Sequence, residues 1–229
     1  YMPPKDIQKT FFEDELSYSE LTRLNDDVAY DWEFATRDAK GGIADHDVES
    51  VRKLYAGSVR NADRHLETIL EMLEVSGLRD DTIVVVTSDH GENLGENDEM
   101  GRRRMDHHSS MSEAVMRVPL LVAHPEIDGK TVNDYVSLKS LYKILTGGYE
   151  DVLSDTENAI ASLLPDDGIV VCEYPAIGGA EQLRKNRPEA PPEVIEQAVS
   201  QDAVAGYYED WRVVIDSTGE SWCWNEQRQ

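Results

Sequence analysis

The sequence predicts an α/β fold: a mostly parallel sheet flanked by helices, incomplete as given, with a small antiparallel sheet towards the carboxyl end. Three stretches carry that prediction. Thr82 to Thr87 is a valine-rich run bracketed by Asp80-Asp81 and Gly91, which suits a strand buried on both faces. Before it, Val48, Val51, Tyr55, Ala62, Leu66, Ile69, Leu70 and Leu73 recur at three- and four-residue steps, the period of an amphipathic helix from about Asp47 to Val75. Near the end, Arg212 to Asp216, a turn at Ser217 to Gly219, and Ser221 to Trp224 read as a hairpin.

In chain order, Tyr1-Met2-Pro3-Pro4 reads as the tail of a loop already under way, so the chain is expected to begin inside a domain. Phe11 to Gly42 is polar and acidic with scattered aromatics, a surface excursion with short helices. The long helix stops at Gly77 and feeds the Thr82 strand as a right-handed crossover. After Gly91 comes a loop rich in Gly, Glu, Asn and Asp. Arg102, Arg103 and Arg104 follow, either gripping an oxyanion or pairing with nearby carboxylates. Val118 to Ala123 is a second buried strand ended by His124-Pro125, and Val136 to Leu145 a short helix stopped by Gly147-Gly148. Gly168 to Tyr174 is a further strand, Ala180 to Pro192 a polar loop, and Pro192 to Ser200 a short helix. Residues 1–165 are assigned to the α/β domain and 166–229 to a truncated antiparallel subdomain.

Charge is the most unusual property of the chain. Lys and Arg total 22 against 46 Asp and Glu, a formal charge of -24, and only eight of the cations are lysines. Such a surface repels nucleic acid, and it suits a protein working in high salt, where screening removes self-repulsion. An acidic disordered chain is excluded because 40% of the residues are hydrophobic and fall in periodic runs. No run reaches the roughly 20 apolar residues of a membrane span. Cys172 and Cys223 show neither zinc-cluster nor disulfide spacing. No signal peptide is visible, and because Tyr1 is not an initiator residue the true amino terminus is expected upstream.

The chemistry concentrates where the Thr82 strand ends. In open α/β sheets the crevice beyond the carboxyl ends of the strands holds the functional groups, and here it would receive Asp89 and His90. A carboxylate beside an imidazole suits a divalent cation, with Gly91 letting both converge. The alternative is that Asp89 caps a turn and His90 is an ordinary polar residue. His46, His65 and His124 read as surface or loop residues.

Three blocks then resemble the distal half of a sulfatase of the alkaline phosphatase superfamily: Ser88 to Glu92 with Leu94-Gly95-Glu96, the pair His107-His108, and Arg117 to Val122. The helical segment Leu54 to Leu66 resembles the stretch preceding the first block, and the likeness runs to about Tyr174. It implies an alkaline phosphatase-like fold and metal-dependent hydrolysis of a sulfuric ester, on a small molecule or glycan. Asp89 and His90 would bind the ion, Ca²⁺ first, with Mg²⁺ or Mn²⁺ as alternatives. Counting back from Pro119, His108 and His107 stand eleven and twelve residues upstream, where the family places the group that meets the ester and assists the leaving oxygen. Either could serve. Ser112 replaces the family's tyrosine, Glu113 keeps its acid, and Lys139 and Lys143 stand in a helix that usually carries Asp and Pro. The family's nucleophile, formylglycine made from a Cys-x-Pro-x-Arg or Ser-x-Pro-x-Arg string, has no counterpart here and is expected upstream. The isolated chain is therefore expected to be inactive. A phosphoesterase or phosphotransferase of the same superfamily, or a non-catalytic module, are the alternatives.

Overall fold

In the computed structural model, residues 1–98, 101–108, 111–123, 129–146, 164–175 and 202–225 are described, with 181, 184, 185, 188, 190–193 and 195. In chain order the elements are α1 (Lys5–Phe11), α2 (Tyr18–Arg23) running into a π-helical turn (Leu24–Ala29), α3 (Asp31–Asp38), α4 (Asp45–Val75), β1 (Val84–Thr87), β2 (Asn93–Asn97) and β3 (Arg103–Asp106). There follow α5 (Glu113–Met116), β4 (Leu120–Ala123), α6 (Lys139–Thr146), β5 (Val170–Tyr174), β6 (Ala203–Tyr208), β7 (Trp211–Asp216) and β8 (Ser221–Asn225). Two compact units result, one of Tyr1–Gly77, Asp89–Val118 and Ala176–Ser200, the other of Leu78–Ser88, Pro119–Pro175 and Gln201–Gln229.

The first unit is built on α4, where the sequence places it. Gly77 takes φ +66°, the left-handed cap conformation, and its N–H donates to the Glu74 carbonyl at 3.0 Å. Only the first half of the helix is packed. Val48, Val51 and Leu54 are buried with Leu21, Leu24, Val28, Phe34 and Met105, whereas Ile69 is 53%, Met72 64% and Val75 89% exposed. Residues 11–42 therefore are not the expected surface excursion, because they supply half of this core. Leu21, Leu24 and Val28 follow helical spacing through α2 and the π-helical turn, a short apolar line hidden among acids.

The expected loop after Gly91 is instead a hairpin. β2 and β3 pair antiparallel, Asn93 with Asp106 and Leu94 with Met105, and the register shifts before Asn97 meets Arg103. Its ladder is held by charge as well as by apolar contact. Arg104 is 1% exposed, and its Nε lies 2.8 Å from Oδ2 of Asp98, which Arg102 Nε meets at the same distance. Arg103 reaches Asp38 at 3.3 Å and Asp45 at 3.1 Å, with its guanidinium 5.5 Å from the Phe34 ring centroid. All three arginines pair with carboxylates, although on a strand and its approach, not in a solvated loop.

In the second unit β1 and β4 pair antiparallel, from Val84 with Ala123 to Thr87 with Leu120. This corrects the parallel, doubly buried arrangement expected of them. Periodicity of a short apolar run does not encode direction, and Leu121 is 59% exposed. No parallel pair occurs among the described residues. The expected antiparallel sheet is present as β5-β6-β7-β8, with β7 and β8 where the sequence put its hairpin and β6 as an addition. Val170, Ala205, Tyr207 and Val214 line its buried face, while Val171, Val204, Val213 and Ile215 are exposed. No described helix is long and apolar enough to cross a membrane. His124-Pro125, Gly147-Gly148 and most of the segment 176–200 lie outside the described residues.

Candidate active site

The site is assembled within the first unit, from the segment after Ser88 and the turn after β3. Gly91 fixes the first of these. Its N–H donates to the Val115 carbonyl at 2.7 Å and the Glu92 N–H to the Ala114 carbonyl at 2.9 Å. A Cβ on residue 91 would lie 1.9 Å from the Ala114 oxygen. Only glycine allows this approach, which ties Asp89 and His90 to α5.

The second segment is fixed by a buried amide and a left-handed residue. Asn93 is fully buried; its Nδ2 donates to the Asp106 carbonyl at 2.7 Å and its Oδ1 accepts from Ser112 Oγ at 2.6 Å. Ser112, the departure from the family's tyrosine, is thus part of the scaffold. Asp106 has φ +66°, a conformation that aspartate tolerates better than most residues. Its Oδ1 accepts from the His107 N–H at 2.6 Å.

These constraints bring three of the four residues singled out in the sequence into contact. The His90 and His107 rings stack with centroids 3.8 Å apart and 24° between planes, and His107 and His108 lie 4.0 Å apart at 52°. Asp89 stays beside His90 with its side chain 87% exposed, Oδ1 being 3.7 Å from His90 Nε2. His46, at 82% exposure, and His65 are surface residues far from this grouping in sequence.

Hydrogen bonding fixes the ring tautomers. His90 Nδ1 is 2.8 Å from the Gly91 carbonyl. A carbonyl only accepts, so Nδ1 carries the proton and Nε2 is bare. His107 Nδ1 faces two carboxylate oxygens, Asp106 Oδ1 at 2.8 Å and Glu92 Oε1 at 2.9 Å, and because carboxylates only accept, the neutral ring is the Nδ1–H tautomer. Glu92 is anchored from behind by the Tyr1 hydroxyl, 2.5 Å from Oε2. Burial first, then the hydrogen bond to Glu92 and its charge, push the Tyr1 phenol well above its ordinary range, so it remains a donor. Tyr55 packs edge-on against Tyr1 at 5.3 Å, its own phenol raised by burial and then by Glu92.

The sequence assigns no role to Glu92 or Tyr1 and marks Asn93 only as loop. For Glu92 a signal existed: it stands two residues beyond His90, so in an extended segment both side chains share a face. Asn93 and Tyr1 carry no comparable signal.

A family model described as Sulfatase matches residues 17–146, more than half of the chain. The chain belongs to the sulfatase family. Arylsulfatase K of Bos taurus is 33% identical over 108 residues, covering 47% of this chain and 19% of that protein. A low-salt glycan biosynthesis sulfotransferase of Haloferax volcanii is 33% identical over 75 residues, 33% of this chain and 18% of that protein. Among solved structures, the phosphonate monoester hydrolase of Silicibacter pomeroyi aligns with all of this chain and 44% of its own, with a TM-score of 0.59 at 14% identity. That likeness speaks for the fold. The chain thus spans about a fifth of the curated relatives and under half of the solved chain.

The donor set fits part of a family-type metal site. Asp89 Oδ1 and His90 Nε2 are 3.7 Å apart, a span that two ligands of one ion, each about 2.4 Å from it, can bridge, and His90 Nδ1 is held by the Gly91 carbonyl, as in metal-bound imidazoles generally. Neither Cys172 nor Cys223 lies in a Cys-x-Pro-x-Arg string, and burial pushes the Cys172 thiol up, away from thiolate.

Proposed function

We propose that this chain carries the cation-binding and leaving-group half of a metal-dependent sulfuric ester hydrolase. The observation that carries the reading is the stack of His90 on His107, which joins the two blocks of the family likeness at one point. Asp89 Oδ and His90 Nε2 would hold the ion, Ca²⁺ first. A divalent cation there would spread the charge of the ester's non-bridging oxygens.

His107 is the better placed of the two candidate donors. Glu92 and Asp106 hold its Nδ1–H, so in the doubly protonated ring the second proton, on Nε2, would pass to the leaving oxygen and leave the neutral Nδ1–H form. His108, exposed and flanking, would contact the ester. The nucleophile is expected outside the residues given, and no step is derived for it. The surface charge and the haloarchaeal relative support a protein of high-salt surroundings; a cooperative melt at ~50 mM salt equal to that in molar KCl would end that reading.

The test is turnover of an aryl sulfate against an aryl phosphate by the complete protein. Sulfate should be preferred, with His107→Ala lowering kcat by about 100-fold or more and Asp89→Ala abolishing the dependence on divalent ion. Preference for phosphate would transfer the site to the phosphoesterases of the same superfamily.

A further inference from the structure

We propose that Asp106, His107 and His108 form a second cation site, one that takes a borderline transition ion of the Zn²⁺ class and not Ca²⁺. One ligand atom from each of the three lies within 4.8 Å of the others. Asp106 Oδ1 and His107 Nδ1 are 2.8 Å apart, and Glu92 Oε1 lies 2.9 Å from the same nitrogen on its other side. Two imidazoles and one or two carboxylates make a nitrogen-rich set, which favours Zn²⁺, Ni²⁺ or Cu²⁺ over the hard cations that oxygen cages bind.

The set is also pre-organised. Asp106 is buried and pinned by its own backbone, through the Asn93 bond to its carbonyl and the His107 N–H on its carboxylate. His107 is clamped between His90 and His108, and His108 is the exposed ligand of the three. Binding would place the ion on Nδ1 of the neutral His107 ring and move its single ring proton to Nε2 by exchange through solvent, with no net proton released. The two uses of His107 exclude each other: with the ion on Nδ1, His107 loses the carboxylate contacts that equip it as a proton donor. Zn²⁺ would therefore inhibit the complete enzyme at concentrations where Ca²⁺ supports it. The site itself does not rest on the hydrolase reading, since it would bind whether or not the chain turns over.

The experiment is calorimetric titration of the purified chain with Zn²⁺ in 1 M NaCl, where diffuse binding by an acidic surface is screened. One Zn²⁺ per chain is expected, bound at least about 100-fold more tightly than Ca²⁺. His108→Ala should weaken it about tenfold or more, Asp106→Asn likewise, and Asp89→Ala should leave it unchanged. His108 is exposed, so its variant folds even where the Asp106 variant does not. Absence of saturable Zn²⁺ binding, an affinity unmoved by His108→Ala, or a loss on Asp89→Ala equal to that on His108→Ala would each overturn the proposal.

Discussion

The β2–β3 hairpin and the β5–β8 sheet are both antiparallel, yet opposite kinds of chemistry hold them. The sheet follows alternation: Val170, Ala205, Tyr207 and Val214 face inward and their strand neighbours face out. The hairpin buries Asn93, Asp98, Arg104 and Asp106 beside a single apolar residue, Met105. Strands built by alternation tolerate change at every second position. Strands built by a polar network do not, because each buried donor or charge depends on one particular partner. The histidines of the candidate site stand on the second kind of support.

The largest effect should come from one methyl group. Gly91→Ala places a carbon 1.9 Å from the Ala114 oxygen, whereas Gly206→Ala in the sheet meets nothing within 4 Å. Chemical denaturation should show the first destabilised by about 3 kcal/mol or more and the second by less than about 1. Equal losses would break the distinction.

Of comparable size, Asp98→Ala removes the carboxylate 2.8 Å from Nε of the buried Arg104. The cost should be about 3 to 5 kcal/mol. Replacing Asp98 and Arg104 together by Leu and Met should recover much of it, which a double-mutant cycle would measure.

Acid sharpens the comparison through the charged scaffold of the first unit. The Arg23 guanidinium, 2.5 Å from Asp47, holds that carboxyl below its usual value, outweighing burial, which raises it. The folded pKa is depressed, so the stabilisation is fully present above the unfolded value near 4 and is lost as pH falls through the lower folded one. Arg23 is partly exposed, which limits the effect to about 1 kcal/mol. Stability curves for the parent and Asp47→Asn should therefore converge as pH falls below about 4.

The smallest effect belongs to the outward face of the sheet. Ile215→Thr at a 50% exposed position should change stability by no more than about 0.5 kcal/mol.

The same contrast explains what the sequence made legible. α4, its Gly77 stop, β5 and the β7–β8 hairpin are written in apolar period and turn chemistry, and all stand where those patterns put them. β2 and β3 are written in Asn93, Gly95, Asp98 and Arg104, residue types that read as loop until their partners are known. Strand direction was invisible for the same reason: the valines of β1 specify burial and leave the pairing with β4 open. At the candidate site, family likeness marks Asp89, His90, His107 and His108 as candidates and leaves open the choice between the two later histidines. It depends on Glu92 and Asp106, whose contacts exist only in three dimensions.

The central claim is that Glu92 and Asp106 hold His107 by its Nδ1–H, so that the neutral ring is the Nδ1–H tautomer. Long-range ¹H–¹⁵N correlation of the histidine rings, in solution alkaline enough for the imidazoles to be neutral, tests it directly. The expected result is the Nδ1–H tautomer at His107, with the Nε2–H form gaining population in Glu92→Ala. An Nε2–H tautomer in the parent chain, or a His107 signal unmoved by Glu92→Ala, would contradict the account.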